Sequence, residues 1–217
     1  ALAWVIPHFV PEITPSGPTT FCRGESITLD AGDYAAFQWN SAAQNATTQT
    51  IVAANSGTYA VTVTDINGCT AETAINITVN IVPVVDITPN GPTTFCEGYN
   101  VILDAGMHEA YQWNNLGGNA TSQFISATES GTYTVTVTNE YNCTSAASMN
   151  VTVIPAPTVT ITAPSNMCAG STLYAIATGG NIYQWSGPNG YNNVGNSITR
   201  PGAHPGMSGI YTVTVTD

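Results

Sequence analysis

Ser56-Gly57-Thr58-Tyr59-Ala60-Val61-Thr62-Val63-Thr64-Asp65 is the stretch that decides how this chain folds. Tyr59, Val61 and Val63 alternate with Ala60, Thr62 and Thr64. A period of two gives a strand one apolar face and one wet face. The stretch returns as Ser130-Gly131-Thr132-Tyr133 leading into Val135 and Val137, and again as Ser208-Gly209-Ile210-Tyr211 leading into Val213 and Val215.

Working outward, other landmarks recur in the same order. Upstream, Phe37-Gln38-Trp39 reappears as Tyr111-Gln112-Trp113 and Tyr183-Gln184-Trp185. Earlier still, Phe21-Cys22-Arg23-Gly24 becomes Phe95-Cys96-Glu97-Gly98 and, more loosely, Met167-Cys168-Ala169-Gly170. Cys22 to Cys96 is 74 residues, Cys69 to Cys143 is 74, and Cys96 to Cys168 is 72. Ile27 and Leu29 predict a second strand, Phe37 and Trp39 a third, and Ile75, Ile77 and Val79 a closing one, with Gly, Asn and Asp clusters between them. Short strands around a Trp, with a Gly-x-Tyr opening a late strand, indicate an all-β chain of three tandem immunoglobulin-like antiparallel β-sandwiches. The expected division is 13–83, 84–155 and 156–217, with the third sandwich lacking its last strand. Residues 1–12 read as the end of a preceding or donated strand.

Composition narrows the function. Charged residues are 7% of the 217, Arg23 and Arg200 are the only Lys or Arg, and the net charge is −11. Nucleic-acid binding requires clustered cations to displace counterions, so no nucleic-acid partner is expected. Anionic lipid would repel such a surface, and no apolar run reaches the ~20 residues of a membrane span, so no membrane insertion is expected. The sequence has no Gly-x-Ser-x-Gly, His-Glu-x-x-His or phosphate loop, and nothing else pairs a nucleophile with a base. The expected protein is not an enzyme.

Cys22 and Cys69 are 47 residues apart, as are Cys96 and Cys143. Equal spacing in sister repeats predicts two intradomain disulfides, Cys22–Cys69 and Cys96–Cys143, in an oxidising compartment. Zinc fits poorly, because there is no Cys-x-x-Cys and His8, His108 and His204 occupy unmatched places. By the repeat's own spacing, a partner for Cys168 falls near position 220.

The runs Thr14 through Ser16-Gly17-Pro18-Thr19-Thr20-Phe21-Cys22 to Ile27-Thr28-Leu29, Ala46-Thr47-Thr48-Gln49-Thr50-Ile51, Ser56-Gly57-Thr58-Tyr59 and Asn67-Gly68-Cys69 resemble a known kind of repeat. They are similar to tandem Ig-like or PKD-like modules of large secreted surface proteins of the Bacteroidetes, akin to gliding-adhesin repeats on type IX secretion substrates. The resemblance implies an exported surface or appendage protein that works in adhesion or as a spacer, and it implies no enzyme activity; no cofactor is expected, with calcium the alternative weighed below.

Several residues have a sharper and a plainer reading. Asp30 with Asp33, or Asp104 with Glu109, could ligate calcium, but Asp in such turns more often bonds local backbone. The three repeat tryptophans could form a sugar-stacking platform, but their matched places predict core. Trp4 lies outside the repeats. Asn45, Asn76, Asn119, Asn142 and Asn150 each open an Asn-x-Thr sequon, a possible glycan acceptor that composition alone also generates. Trp185 to Gly209 spans 24 residues where the sisters span 18, and the excess includes Thr199–Gly206 with Arg200 and His204, a candidate binding loop. The expected function is a noncatalytic extracellular structural or adhesive module. Its partners are copies of itself head to tail or further repeats of a longer chain. The alternative is direct grip on a surface glycan or protein. Residues 1–7 could complete a neighbour's third sandwich by strand addition.

Overall fold

A computed structural model describes residues 9–114, 116 and 118–216. Residues 1–7, expected to complete a neighbour's sandwich, together with His8, lie outside the described residues, so that expectation and Trp4 are not placed. The chain divides into two compact units, residues up to 93 together with 100–152, and residues 94–99 together with 153 onward.

The first sandwich is built from β1 (Thr14–Pro15), β2 (Thr20–Cys22), β3 (Ile27–Asp30), β4 (Ala36–Trp39), β5 (Thr50–Ala53), β6 (Gly57–Thr64) and β7 (Thr70–Asn80). One sheet runs β1-β3-β5 and the other β2-β7-β6-β4. The alternation read from the sequence becomes burial, with Tyr59, Val61 and Val63 of β6 facing Leu29, Ile51 and Trp39 in one core. Trp39 is 1% exposed, and its indole N–H donates to the Thr48 carbonyl at 2.8 Å, so the one polar atom of the ring is satisfied. The Tyr59 phenol donates four residues back to the Asn55 carbonyl, a tyrosine corner. Trp113 with Tyr133, and Trp185 with Tyr211, repeat both bonds. The tryptophans are therefore core, as their matched positions predict.

β1, β2 and β5 are elements that the sequence reading did not name, and β2 has the largest consequence. The chain leaves one sheet after β1, passes Pro18, and joins the other sheet as β2, parallel to β7 with Thr20 opposite Thr78 and Cys22 opposite Asn80. Three residues are too few for a period to show.

The second sandwich follows the same plan with β8 (Thr88–Pro89), β9 (Thr94–Cys96), β10 (Val101–Asp104), β11 (Ala110–Trp113), β12 (Phe124–Ala127), β13 (Gly131–Thr138) and β14 (Thr144–Ile154), in sheets β8-β10-β12 and β9-β14-β13-β11. The third has β15 (Thr160–Thr162), β16 (Leu173–Thr178), β17 (Ile182–Gly187), β18 (Tyr191–Val194), β19 (Ser197–Arg200) and β20 (Thr212–Thr216), in sheets β15-β16-β19 and β18-β17-β20. Its buried core is smaller, with Leu173, Ala175, Ala177, Trp185 and Ile198. Val213 and Val215 are only half-buried there, whereas Val61 and Val63 are fully buried in the first sandwich. The difference is physical. β7 covers β6 along eight paired residues, and no strand follows β20 among the described residues.

The cysteine pairing differs from the sequence expectation. The structure joins Cys22 to Cys143 and leaves Cys69, Cys96 and Cys168 free. The reason lies in the sheet. Cys22 sits beside Asn80, the last residue of β7, while Cys69 immediately precedes Thr70, its first. An 11-residue strand at about 3.3 Å per residue places those two cysteines roughly 35 Å apart. A disulfide spans only about 4.4–6.8 Å between Cα atoms, so Cys22–Cys69 cannot form within this sandwich. Cys143 is bonded to Cys22, which removes Cys96–Cys143 as well.

Candidate functional site

The most developed local chemistry is the junction where the disulfide crosses from the first sandwich to the second, both halves lying within the first unit. The Cys22 side is a tight turn. The Arg23 N–H donates to the Asn80 carbonyl at 2.8 Å and the Glu25 N–H to the Cys22 carbonyl at 3.1 Å. Gly24 between them has φ +100°, a conformation a side chain rarely adopts, which explains the Cys-x-Gly pattern. The Cys22 N–H also donates to the Glu25 carboxylate at 3.3 Å.

The Cys143 side is the hairpin between β13 and β14. The Asn139 side-chain oxygen accepts the N–H groups of Tyr141 and Cys143, each at 3.0 Å, and the Asn139 N–H donates to the Cys143 carbonyl at 3.0 Å. Asn142 takes φ +61°, which Asn tolerates better than most residues. Cys143 is buried, Cys22 half-buried, and their Cα atoms are 5.6 Å apart. The Asn139 amide nitrogen donates to the Ile81 carbonyl at 2.7 Å, just past β7, adding a polar tie beside the covalent one. Phe21, Glu25, Asn80, Tyr141 and Asn142 line a cleft of about 310 Å³ there. The Tyr141 phenol is held above its ordinary pKa by a hydrogen bond with Glu140 and by that residue's charge.

The other predicted residues are placed as follows. Asp30 accepts the Gly32 N–H at 2.8 Å and the Gln49 side chain at 3.0 Å. Asp104 repeats both contacts with Gly106 and Gln123. Asp33 is weakly tied to Gln49 at 3.4 Å, and the Glu109 N–H donates to the Thr138 carbonyl. No group of three or more His, Cys, Asp or Glu close enough to hold a metal occurs among the described residues. All five sequon asparagines are exposed, and Asn76 and Asn150 each accept a cross-strand Thr hydroxyl at 2.7 Å.

Arg200 and His204 have different surroundings. The Arg200 guanidinium lies 4.2 Å over the Tyr191 ring and donates to the Tyr211 hydroxyl, filling the third sandwich rather than facing solvent. His204 instead lines a cleft of about 590 Å³ with Met167, Cys168, Trp185, Met207 and Tyr211. No helix among the described residues is long and apolar enough to cross a membrane.

The inter-sandwich bond escaped sequence reasoning. Its usable signal was the placement of Cys22 and Cys69 at opposite ends of the closing strand β7, which equal spacing does not reveal.

No protein-family model and no curated protein matches this chain. Among solved structures it is similar to the N-terminal eight Ig domains of Down syndrome cell adhesion molecule, with 14% identity and TM-score 0.43, covering 96% of this chain and 42% of that one. It is similar to a Ca²⁺-stabilized adhesin by which an Antarctic bacterium binds ice, with 13% identity and TM-score 0.36, covering 94% of this chain and 72% of that one. It is also similar to the C-terminal fragment of intimin, solved with the intimin-binding domain of its receptor, with 17% identity and TM-score 0.42, covering 74% of this chain and 67% of that one. With TM-scores below 0.5, these likenesses say nothing of what this chain binds.

Proposed function

We propose that this protein is a noncatalytic extracellular structural and adhesive module that acts as a stiffened spacer. The observation that carries the reading is the Cys22–Cys143 bond, which staples one sandwich to the next rather than closing a single core. The connection after β7, Ile81-Val82-Pro83-Val84-Val85, has no flexible Gly/Ser stretch, and Pro further limits its freedom. A disulfide persists in oxidising surroundings, which agrees with work outside the cell. The function so read needs no cofactor, and its partners are further repeats of this kind or copies of the chain.

Pulling on the two ends of the oxidised protein tests this. The staple encloses a sequence separation of 121 and withholds about 400 Å of extended chain until reductant is added. A force trace that releases the whole chain without reductant overturns the reading.

A second reading, direct grip on a surface glycan or protein, is favoured by the open cleft in the third sandwich. In that case His204→Ala with Met207→Ala weakens adhesion to cells without lowering the melting temperature. Unchanged adhesion removes this reading.

A further inference from the structure

The three free cysteines repeat the surroundings of the two bonded ones. Cys69 has the hairpin frame of Cys143. The Asp65 oxygen accepts the N–H groups of Asn67 and Cys69, each at 2.8 Å, and the Asp65 N–H donates to the Cys69 carbonyl at 2.9 Å. Gly68 takes the positive φ, +83°, that Asn142 takes in the second hairpin. Cys96 has the turn of Cys22, with the Glu97 N–H donating to the Ile154 carbonyl at 2.8 Å and the Tyr99 N–H to the Cys96 carbonyl at 3.3 Å. Cys168 shares the local part of that turn, with the Ser171 N–H donating to its carbonyl at 3.2 Å and Gly170 at φ +84°, while the Gly170 N–H bonds the Ala203 carbonyl and no closing strand lies beside it among the described residues.

The chain thus holds two kinds of cysteine site at opposite ends of a sandwich. The turn cysteine lies where the closing strand leaves, and the hairpin cysteine lies where that strand begins. Sandwiches placed end to end bring the turn cysteine of one against the hairpin cysteine of the next, and Cys22–Cys143 is one such bond already formed.

We propose that the cysteines form a forward-stepping disulfide series, and that between two copies of this chain the bond runs from Cys168 of one copy to Cys69 of the next. Cys168 is exposed and Cys69 half-buried, so both thiols can react. The step is thiol–disulfide exchange with a small disulfide oxidant such as oxidised glutathione. One thiolate attacks the oxidant and expels a glutathione thiolate, and the second thiolate then attacks the mixed disulfide and expels another. Two thiols give one protein disulfide, and one oxidised glutathione gives two reduced. The proposal goes beyond the spacer reading, which stands or falls on the force trace alone.

The test is the whole protein, concentrated and incubated with oxidised glutathione, then alkylated with iodoacetamide and run on a nonreducing gel before peptide mapping of each band. The expected result is a reductant-sensitive ladder whose linking peptides carry Cys69 and Cys168. Cys69→Ser and Cys168→Ser should each abolish the ladder, and Cys96→Ser should keep it. A monomer with Cys69 and Cys168 both alkylated overturns the proposal. A ladder joined through Cys96, or Cys69 found bonded to Cys22 or to Cys168 of its own copy, overturns it equally.

Discussion

The hairpin turns ending at Cys69 and Cys143 are nearly superposable in their hydrogen bonds, yet only the second is stapled. Each places an Asx side chain under two backbone N–H groups, and each needs a left-handed residue just before the cysteine. The difference is the neighbour. Cys143 meets the turn of a preceding sandwich, and the Asn139 amide reaches the Ile81 carbonyl. Asp65 has the same position without a donor, because a carboxylate can only accept. Local sequence therefore builds the socket, and an adjoining sandwich decides whether it is used.

The largest effect expected from breaking this comparison is loss of the staple. Cys22→Ser with Cys143→Ser should destabilise the first unit by about 5 kcal/mol, the chain-entropy value for a loop of that size. Cys69→Ser should change stability by less than about 0.5 kcal/mol. Denaturant titrations of both variants check this, and equal midpoints would erase the distinction between the two turns.

Next comes the core that both turns stand on. Trp39→Ala should cost roughly 3–5 kcal/mol, as for other large buried aromatics. Thermal melts should show the loss in the first unit whether or not the disulfide is reduced.

A smaller effect separates the two Asx residues. Asn139→Ala removes the turn bonds and the tie to Ile81 together, and should cost about 1–2 kcal/mol. Asp65→Ala removes only turn bonds and should cost less. Asn139→Asp should cost less than Asn139→Ala, because it keeps the turn bonds and loses only the tie to Ile81.

The smallest is a pH dependence confined to the first turn. Slight loss of hydration pushes the Asp65 carboxyl upward, but the Cys69 N–H, the Asn67 side chain and N–H, and the Gly68 N–H outweigh it and hold the pKa below the ordinary aspartate value. A lowered folded-state pKa means that the contribution is present above the ordinary value of about 3.9 and is lost as pH falls through the lower one. Amide exchange at Cys69 should quicken in that acid window while exchange at Cys143 keeps the intrinsic trend. Asp65→Asn should abolish the difference.

Much of the fold could be read directly from residues. Tyr59-Val61-Val63 and its sisters expose a period of two, Trp39, Trp113 and Trp185 mark the core, and Asp65-Ile66-Asn67-Gly68 marks a turn. β2 and β9 could not be read, because three residues carry no period. The placement of Arg200 against Tyr191 and Tyr211 was equally hidden, since a Pro/Gly-rich neighbourhood made it look like free loop.

The sequence by itself determined the all-β class, the three sandwiches, the core aromatics and the turn after the tyrosine strand that carries Cys69 or Cys143, because all of these follow from local patterning and from recurrence at a fixed interval. Only the tertiary structure decided which sulfurs meet. Equal spacing arises in any repeated chain, whichever way its cysteines bond. The parallel register of β2 on β7 sends Cys22 to one end of its sandwich and Cys69 to the other, and that distance turns an apparent internal staple into a bond between neighbours.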